Sequence, residues 1–142
     1  MQSDLPSAAI IVAAGTGTRI GGDIPKQYRQ VRGKAMLRHS VEAFAAHPAF
    51  KHIIVVIGEG QDTLAHNALM GVPDFILVEG GKERIDSARN AIHYLDNIGF
   101  NGNTFIHDAA RPFLSAQVID RLLEALASSE GAVPALPVVD SL

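Results

Sequence analysis

The stretch AAIIVAAGTGTRIGGDIPKQ, residues 8–27, decides how the rest of this chain is read. It opens on an unbroken apolar run over 8–13, the pattern of a strand buried on both faces of a parallel sheet. Glycines follow at 15, 17, 21 and 22, with Arg19 among them and Pro25-Lys26 at the far end. Glycines let backbone N–H groups come close to an anion. Arg19 adds a planar fork of donors and Lys26 a point charge, while Pro25 fixes the backbone just ahead of that lysine. Two cations on one loop suit a polyphosphate whose charge is neutralised as it reacts. The same residues also read as a surface loop with solvated charges, but their place directly after a buried strand favours the phosphate.

Two phosphate motifs with similar glycines do not fit. A P-loop requires Lys after its second glycine; the glycine spacing from Gly17 to Gly22 is right, but Asp23 follows and would repel the phosphate. A dinucleotide fingerprint requires GxGxxG and an acidic residue about twenty positions on. Here Ile20 holds the place of the third glycine and Ala35 that of the acid, which argues against a nicotinamide-dependent oxidoreductase.

Outward from this stretch, strand and helix patterns alternate. Leu37, Val41 and Phe44 recur at helical spacing within 36–47, and Pro48 closes that helix. Residues 52–58 read as a second buried strand, 61–69 as a short helix and 74–81 as a third strand. Ile85, Ala88, Ile92 and Leu95 mark the inward face of a helix over 83–97. Residues 103–113 read as a strand that breaks into a charged turn at Asp108. Ser115 caps a last helix, with Ile119, Leu122 and Leu126 inward. The segment GAVPALPVVDSL begins what reads as a fifth strand, so the chain is expected to be truncated. On that reading 1–142 is the N-terminal portion of one domain, with the remainder and any second domain absent. The fold class is α/β, a mostly parallel sheet with helices on both faces.

Bulk properties narrow the function classes. The 142 residues suit one domain, and 47% hydrophobic with 19% charged residues is ordinary for a globular protein. A net charge of −3 supplies no basic field for nucleic acid or an anionic membrane. Zero cysteines exclude disulfides, thiolate metal sites and thiol nucleophiles, and fit a cytoplasmic setting. No stretch approaches membrane-spanning length, and Asp4 stands where a secretory signal would be basic. The six histidines, at 39, 47, 52, 66, 93 and 107, lack metal-ligand spacing and are expected at the surface or in packing. No GxSxG elbow is present for a serine hydrolase.

Two more loops follow strands and carry chemistry. In EGGKERIDS, Gly80 and Gly81 permit a close approach or a tight turn, and Glu83 and Asp86 equally suit plain helix capping. In IHDAARPF, Asp108 lies where a strand ends and Arg111 follows three residues later, with Pro112 stiffening the turn. Asp108 reads as a Mg²⁺ ligand beside a triphosphate, since magnesium takes few protein carboxylates, or as half of an ion pair with Arg111. In open α/β sheets ligands bind at the carboxyl ends of strands, so three such loops outweigh any one of them.

Together, AAGTGTRIGGDIPKQY, GGKERIDS, HDAARPF and PVVDS, in this order, resemble the 2-C-methyl-D-erythritol 4-phosphate cytidylyltransferase family of the non-mevalonate isoprenoid pathway. The resemblance implies a Rossmann-like nucleotidyltransferase fold and transfer of CMP from CTP to methylerythritol phosphate. It implies that Ala13, Ala14, Gly15, Thr16 and Gly17 line the nucleotide and that Arg19 and Lys26 stabilise the transition state. Gly81, Lys82 through its backbone, and Ser87 would then lie near the cytosine. Asp108 would hold Mg²⁺, for which Mn²⁺ or Co²⁺ could substitute, and touch the ribose or substrate. Arg111 would bind the methylerythritol phosphate, with Ser141 at a substrate position where the family often has threonine. It further implies a homodimer when full length, and in some bacteria fusion to a cyclodiphosphate synthase. Ribitol 5-phosphate as the acceptor and a non-catalytic nucleotide-binding module are the alternatives.

Overall fold

The computed structural model describes residues 4–15 and 24–137. Thr16, Gly17 and Arg19 of the opening loop, and Ser141, lie outside the described residues. In chain order the elements are β1 (Ser7–Ala13), a 3₁₀ turn (Lys26–Tyr28), β2 (Gln30–Val31), β3 (Lys34–Ala35), α1 (Met36–Ala45) and β4 (Phe50–Ile57). They continue with α2 (Asp62–Ala68), β5 (Phe75–Glu79), α3 (Arg84–Asn97), β6 (Asn103–Asp108) and α4 (Ala116–Leu126). The chain divides into a sheet-bearing unit, Leu5–Leu114, and a second unit that contains α4.

The main sheet runs β5-β4-β1-β6, all parallel. β1 lies in the centre because its side chains are apolar on both faces: Ala8, Ala9, Ile10 and Ile11 are all fully buried. Alternation along the strand divides them. Ala8 and Ile10 join Ile54, Val56, Ala91 and Leu95 beneath α3. On the other face lies α1, whose Phe44 meets Phe50 and Phe105 edge-on, at centroid distances of 4.9 and 6.2 Å. The chain leaves β1 toward β4 and β5, then returns to pair β6 on the other side of β1. That reversal makes a topological switch point between β1 and β6, where open sheets open a crevice.

Val12 pairs with Val56 on one side and Asp108 on the other. The carboxyl ends of the central strands therefore finish level, and the loops leaving them share one edge of the sheet. The expected strands and helices over 8–13, 36–47, 52–58, 61–69, 74–81, 83–97 and 103–108 all form, within a few residues of their expected ends.

Three details differ from the sequence reading. The inward face of α3 is Ser87, Ala91 and Leu95, while Ile85 and Ile92 are 62% and 48% exposed. A glutamate-capped entry and a Ser87 drawn inward by Gly81 set the helix rotation, and small Ser87 and Ala91 let α3 approach the sheet closely. In the α4 unit, Ser115 caps as expected, its Oγ accepting from Val118 N at 3.2 Å, but Leu123 is buried beside Ile119 and Leu122 is half-buried. The expected fifth strand does not form over 131–137. Pro134 and Pro137 have no N–H to give a ladder, and Val133 and Leu136 are 84% and 91% exposed.

One element carried no sequence signal. β2 and β3 form a hairpin whose two central residues, Arg32 and Gly33, have φ of 53° and 80°. This is the mirror-image turn that matches strand twist, usually built from Asn-Gly. The Arg32 guanidinium lies 4.7 Å from the centre of the Phe113 ring, and His39 meets the same ring edge-on. His47, His52, His66 and His107 likewise sit against phenylalanines, in packing positions.

Candidate active site

Beyond the carboxyl ends of β1 and β6 lies a cavity of about 280 Å³. Its walls are the end of β1 (Val12 to Gly15), Lys26 and Gln27, the segment Gly81 to Arg84 with Ser87, and Asp108 with Ala110. All three loops singled out from sequence thus meet in one place. Ala13, Ala14, Gly15, Lys26, Gly81, Lys82, Ser87 and Asp108 all line it. Arg111 does not; it is exposed, three residues past Asp108.

The cation wall is the 3₁₀ turn. Successive side chains in such a turn point a third of a revolution apart. Gln27 and Tyr28 turn inward and are buried, which leaves Lys26 exposed. The Gln27 amide donates to the carbonyls of Ala13 at 2.6 Å and Gly15 at 2.7 Å. Leaving the buried Ala13 carbonyl without a donor costs about 1–3 kcal/mol. Tyr28 donates its hydroxyl to Gln61 Oε1 at 3.1 Å, and the same oxygen accepts from Gly58 N at 3.0 Å. Burial, helped by the Asp62 carboxylate, pushes the Tyr28 phenol up to about 12, so it keeps its proton and remains a donor at any ordinary pH.

The second wall begins with a glycine the packing requires. A Cβ at position 80 would sit 2.5 Å from Ala14 Cβ and 2.6 Å from Ser87 Oγ. Gly80 N extends the β4 pairing by donating to Ile57 O at 2.7 Å. Gly81 N donates to Ser87 Oγ at 3.2 Å, and Glu83 and Asp86 form a reciprocal capping box at the start of α3. The capping expected here is therefore present together with cavity-lining positions, so the two readings of EGGKERIDS are not exclusive. Arg84, the first residue of α3, adds a cation to this wall.

The acid wall continues β6. Asp108 Oδ1 accepts from Ala110 N at 2.9 Å, which closes the turn. Ala109 N donates to Val12 O at 3.0 Å, so the turn stays tied to β1. From α1, the fully buried Ser40 hydroxyl lies 3.1 Å from Ala109 O and 3.3 Å from Arg111 O. His107 Nε2 lies 2.9 Å from Arg111 O. A carbonyl only accepts, so that nitrogen carries the proton. Burial pushes the His107 imidazolium down in pKa, the Arg111 carbonyl and Asp108 opposing that shift, so the ring is neutral near pH 7. His107 and Asp108 point to opposite faces of β6, as strand alternation requires. No ion pair between Asp108 and Arg111 forms among the described residues.

Lys26, Lys82 and Arg84 against Asp108 and Glu83 give the wall the charge pattern of a site for a polyanion accompanied by a cation. Among the described residues no three His, Asp or Glu side chains cluster as a metal cage. A hard divalent ion at Asp108 would accordingly take its other oxygens from phosphate and water, as magnesium does. Sequence reasoning did not assign Gln27, Glu83 or Arg84 to the cavity wall; Gln27 was visible only as part of the PKQ string.

The family model "IspD: 2-C-methyl-D-erythritol 4-phosphate cytidylyltransferase" matches residues 7–142. The chain belongs to that cytidylyltransferase family. It is 52% identical, over 95% of its length, to a bifunctional enzyme IspD/IspF of Rhizorhabdus wittichii, of which it covers 34%. It is 44% identical, over 97% of its length, to a 2-C-methyl-D-erythritol 4-phosphate cytidylyltransferase of Cereibacter sphaeroides, of which it covers 61%. A crystal structure of 4-diphosphocytidyl-2C-methyl-D-erythritol synthase superposes with a TM-score of 0.82 at 30% identity, over 99% of this chain and 63% of that one. The chain thus spans about a third of the bifunctional relative and about three-fifths of the single-function cytidylyltransferase. The α/β nucleotidyltransferase fold expected from sequence is the fold of these family structures.

Proposed function

We propose that this chain is the nucleotide-binding portion of a cytidylyltransferase that moves CMP from CTP to 2-C-methyl-D-erythritol 4-phosphate. The observation that carries this reading is the meeting of the β1 end, Lys26 and Asp108 in one cavity at the switch point of the sheet. A phosphate oxygen of the polyol phosphate bonds to the α-phosphorus of CTP. The bond from that phosphorus to the bridging oxygen breaks, and pyrophosphate leaves with its electron pair. The attacking phosphate is already ionised, so no protein base is required, and catalysis reduces to positioning and charge neutralisation.

The backbone at Ala14 and Gly15 approaches the phosphates, with Thr16 and Gly17 continuing that role, and Lys26 and Arg19 neutralise charge as the transition state forms. The Gly81–Lys82 backbone and Ser87 offer hydrogen bonds to a base edge. Asp108 would hold Mg²⁺, whose chemistry is to screen the triphosphate. Arg111 and Ser141 serve the acceptor side. In the full-length protein this portion works as a cytoplasmic homodimer. Among the described residues no helix is long and apolar enough to cross a membrane.

The test is calorimetric titration of the full-length protein with CTP and Mg²⁺, with UTP, ATP and NAD in parallel. Pyrophosphate release is then measured with methylerythritol and ribitol phosphates. Selective CTP binding and release driven by methylerythritol phosphate are expected. Preference for ribitol phosphate would move the acceptor assignment, and CTP binding without release would leave a binding module.

A further inference from the structure

We infer that Gln27 is the positioning residue for Lys26. Its side-chain amide ties the turn that carries the lysine to the end of β1, and so sets where the cation meets the nucleotide. The inference rests on the cytidylyl-transfer reading of the cavity.

Three observations carry it. The first is where sheet pairing stops. β1 pairs with β6 only as far as Val12, and with β4 as far as Ala13. The next N–H past the end of β4, that of Gly58, goes to Gln61 instead. The carbonyls of Ala13 and Gly15 therefore pass beyond the ladder, and the Gln27 amide takes both, in place of a neighbouring strand. Only the NH₂ end of that amide can face two carbonyls, so its orientation is fixed by chemistry. Both of its hydrogens are used.

The second is geometry along the turn. Gln27 is 5% exposed and Tyr28 is 6% exposed, while the adjacent Lys26 is exposed and lines the cavity. Two inward side chains in a three-residue turn leave the lysine one direction. The third is sequence distance: the amide reaches back 14 and 12 residues to its acceptors. It therefore closes the base of the segment that joins β1 to the turn. The two bonds hold the residues on either side of Ala14, itself a cavity-wall residue, and the tether of Lys26 together.

A displacement of about 1 Å in a reacting geometry costs up to about 10²-fold in rate. In the full-length protein, Gln27→Met keeps the side-chain length and removes both donors. Expected is a fall in kcat of about 30- to 100-fold, with KM for CTP changed by less than about threefold. The decisive readout is a double-mutant cycle with Lys26→Ala. If Gln27 acts through the lysine, Gln27→Met costs less than about threefold when Lys26 is already gone. Equal factors in the two backgrounds overturn the inference, as does a wild-type rate in Gln27→Met. Should Gln27→Met not fold, Gln27→Glu gives a second test. Its carboxylate repels both carbonyls, whereas its protonated form regains one donor. The ratio of its rate to wild type is therefore expected to rise as pH falls from about 8 to about 5, and a flat ratio overturns the inference. Wild-type protein that releases no pyrophosphate with either polyol phosphate overturns the parent reading and this one with it. An active wild type with additive variants overturns this one alone.

Discussion

The turn that presents Lys26 and the turn that presents Asp108 face the same cavity but are held in different ways. The Asp108 turn grows directly out of β6. Its own carboxylate closes it onto Ala110 N, Ala109 N continues the pairing to Val12, and Ser40 and His107 grip the carbonyls behind it. The Lys26 turn is joined to β1 by a glycine-rich segment and meets that strand's end through the two hydrogen bonds of Gln27. The acid is placed by backbone and several side chains; among the described residues the Lys26 turn is tied to β1 by the Gln27 amide and to Gln61 by the Tyr28 hydroxyl. Each wall is therefore held by its own groups: the Asp108 turn meets β1 through backbone, whereas the Lys26 turn meets it through a side chain.

The largest effects are expected at the two charged groups themselves, whichever way their turns are held. On the proposed reaction, Lys26→Ala and Asp108→Asn each remove a group that meets charge, and each should lower kcat/KM about 10²- to 10³-fold in pyrophosphate release. One supporting residue behind each wall then exposes the asymmetry. Gln27→Met is expected to be costly, since among the described residues it is the Gln27 amide that bonds this turn to the end of β1. Ser40→Ala should cost less than about tenfold in kcat/KM, because the Ala110, Ala109 and His107 contacts still hold the Asp108 turn. Its stability cost by urea unfolding should be about 1–2 kcal/mol. A loss from Ser40→Ala that matches that from Gln27→Met would break the comparison.

The smallest effects are in pH. His107 has a folded pKa below its unfolded value of about 6.5, so its contribution to stability is full above that pH. It is lost as pH falls through the folded value, because the unfolded chain binds the proton first. Tyr28 gives the mirror case: its contribution is full below about 10 and is lost as pH rises through about 12. Urea unfolding across both ranges, with His107→Asn and Tyr28→Phe, should show each slope flatten in its own variant alone.

The parallel sheet was legible because its strands are short apolar runs and its helices carry a 3.6-residue period. Gly15, Lys26, Gly81, Ser87 and Asp108 were legible as candidates because they belong to the segments that follow strands, and topology brings those segments to one cavity. The face of α3 was misread because Ile85 and Ile92 match the period as well as Ser87 and Ala91 do; close packing on β1, rather than hydrophobicity, chose the smaller pair. The hairpin was missed because Arg32 adopts a positive φ usually signalled by asparagine or aspartate. Over 131–137 the apolar composition of a strand was present, but Pro134 and Pro137 lack the donors a ladder needs. Gln27 had no periodic signature at all, since its partners are main-chain oxygens a dozen or more residues away that become available only once the sheet ends.

Tyr28 gives the Lys26 turn a built-in optical reporter. The chain has no tryptophan and two tyrosines, so its near-ultraviolet emission comes from Tyr28 and Tyr94. Tyr94 lies on α3 and packs against the core, whereas Tyr28 sits two residues from Lys26 with its hydroxyl on Gln61. Emission that changes when a nucleotide arrives, and stops changing in Tyr28→Phe, would follow the movement of this turn in real time without any label.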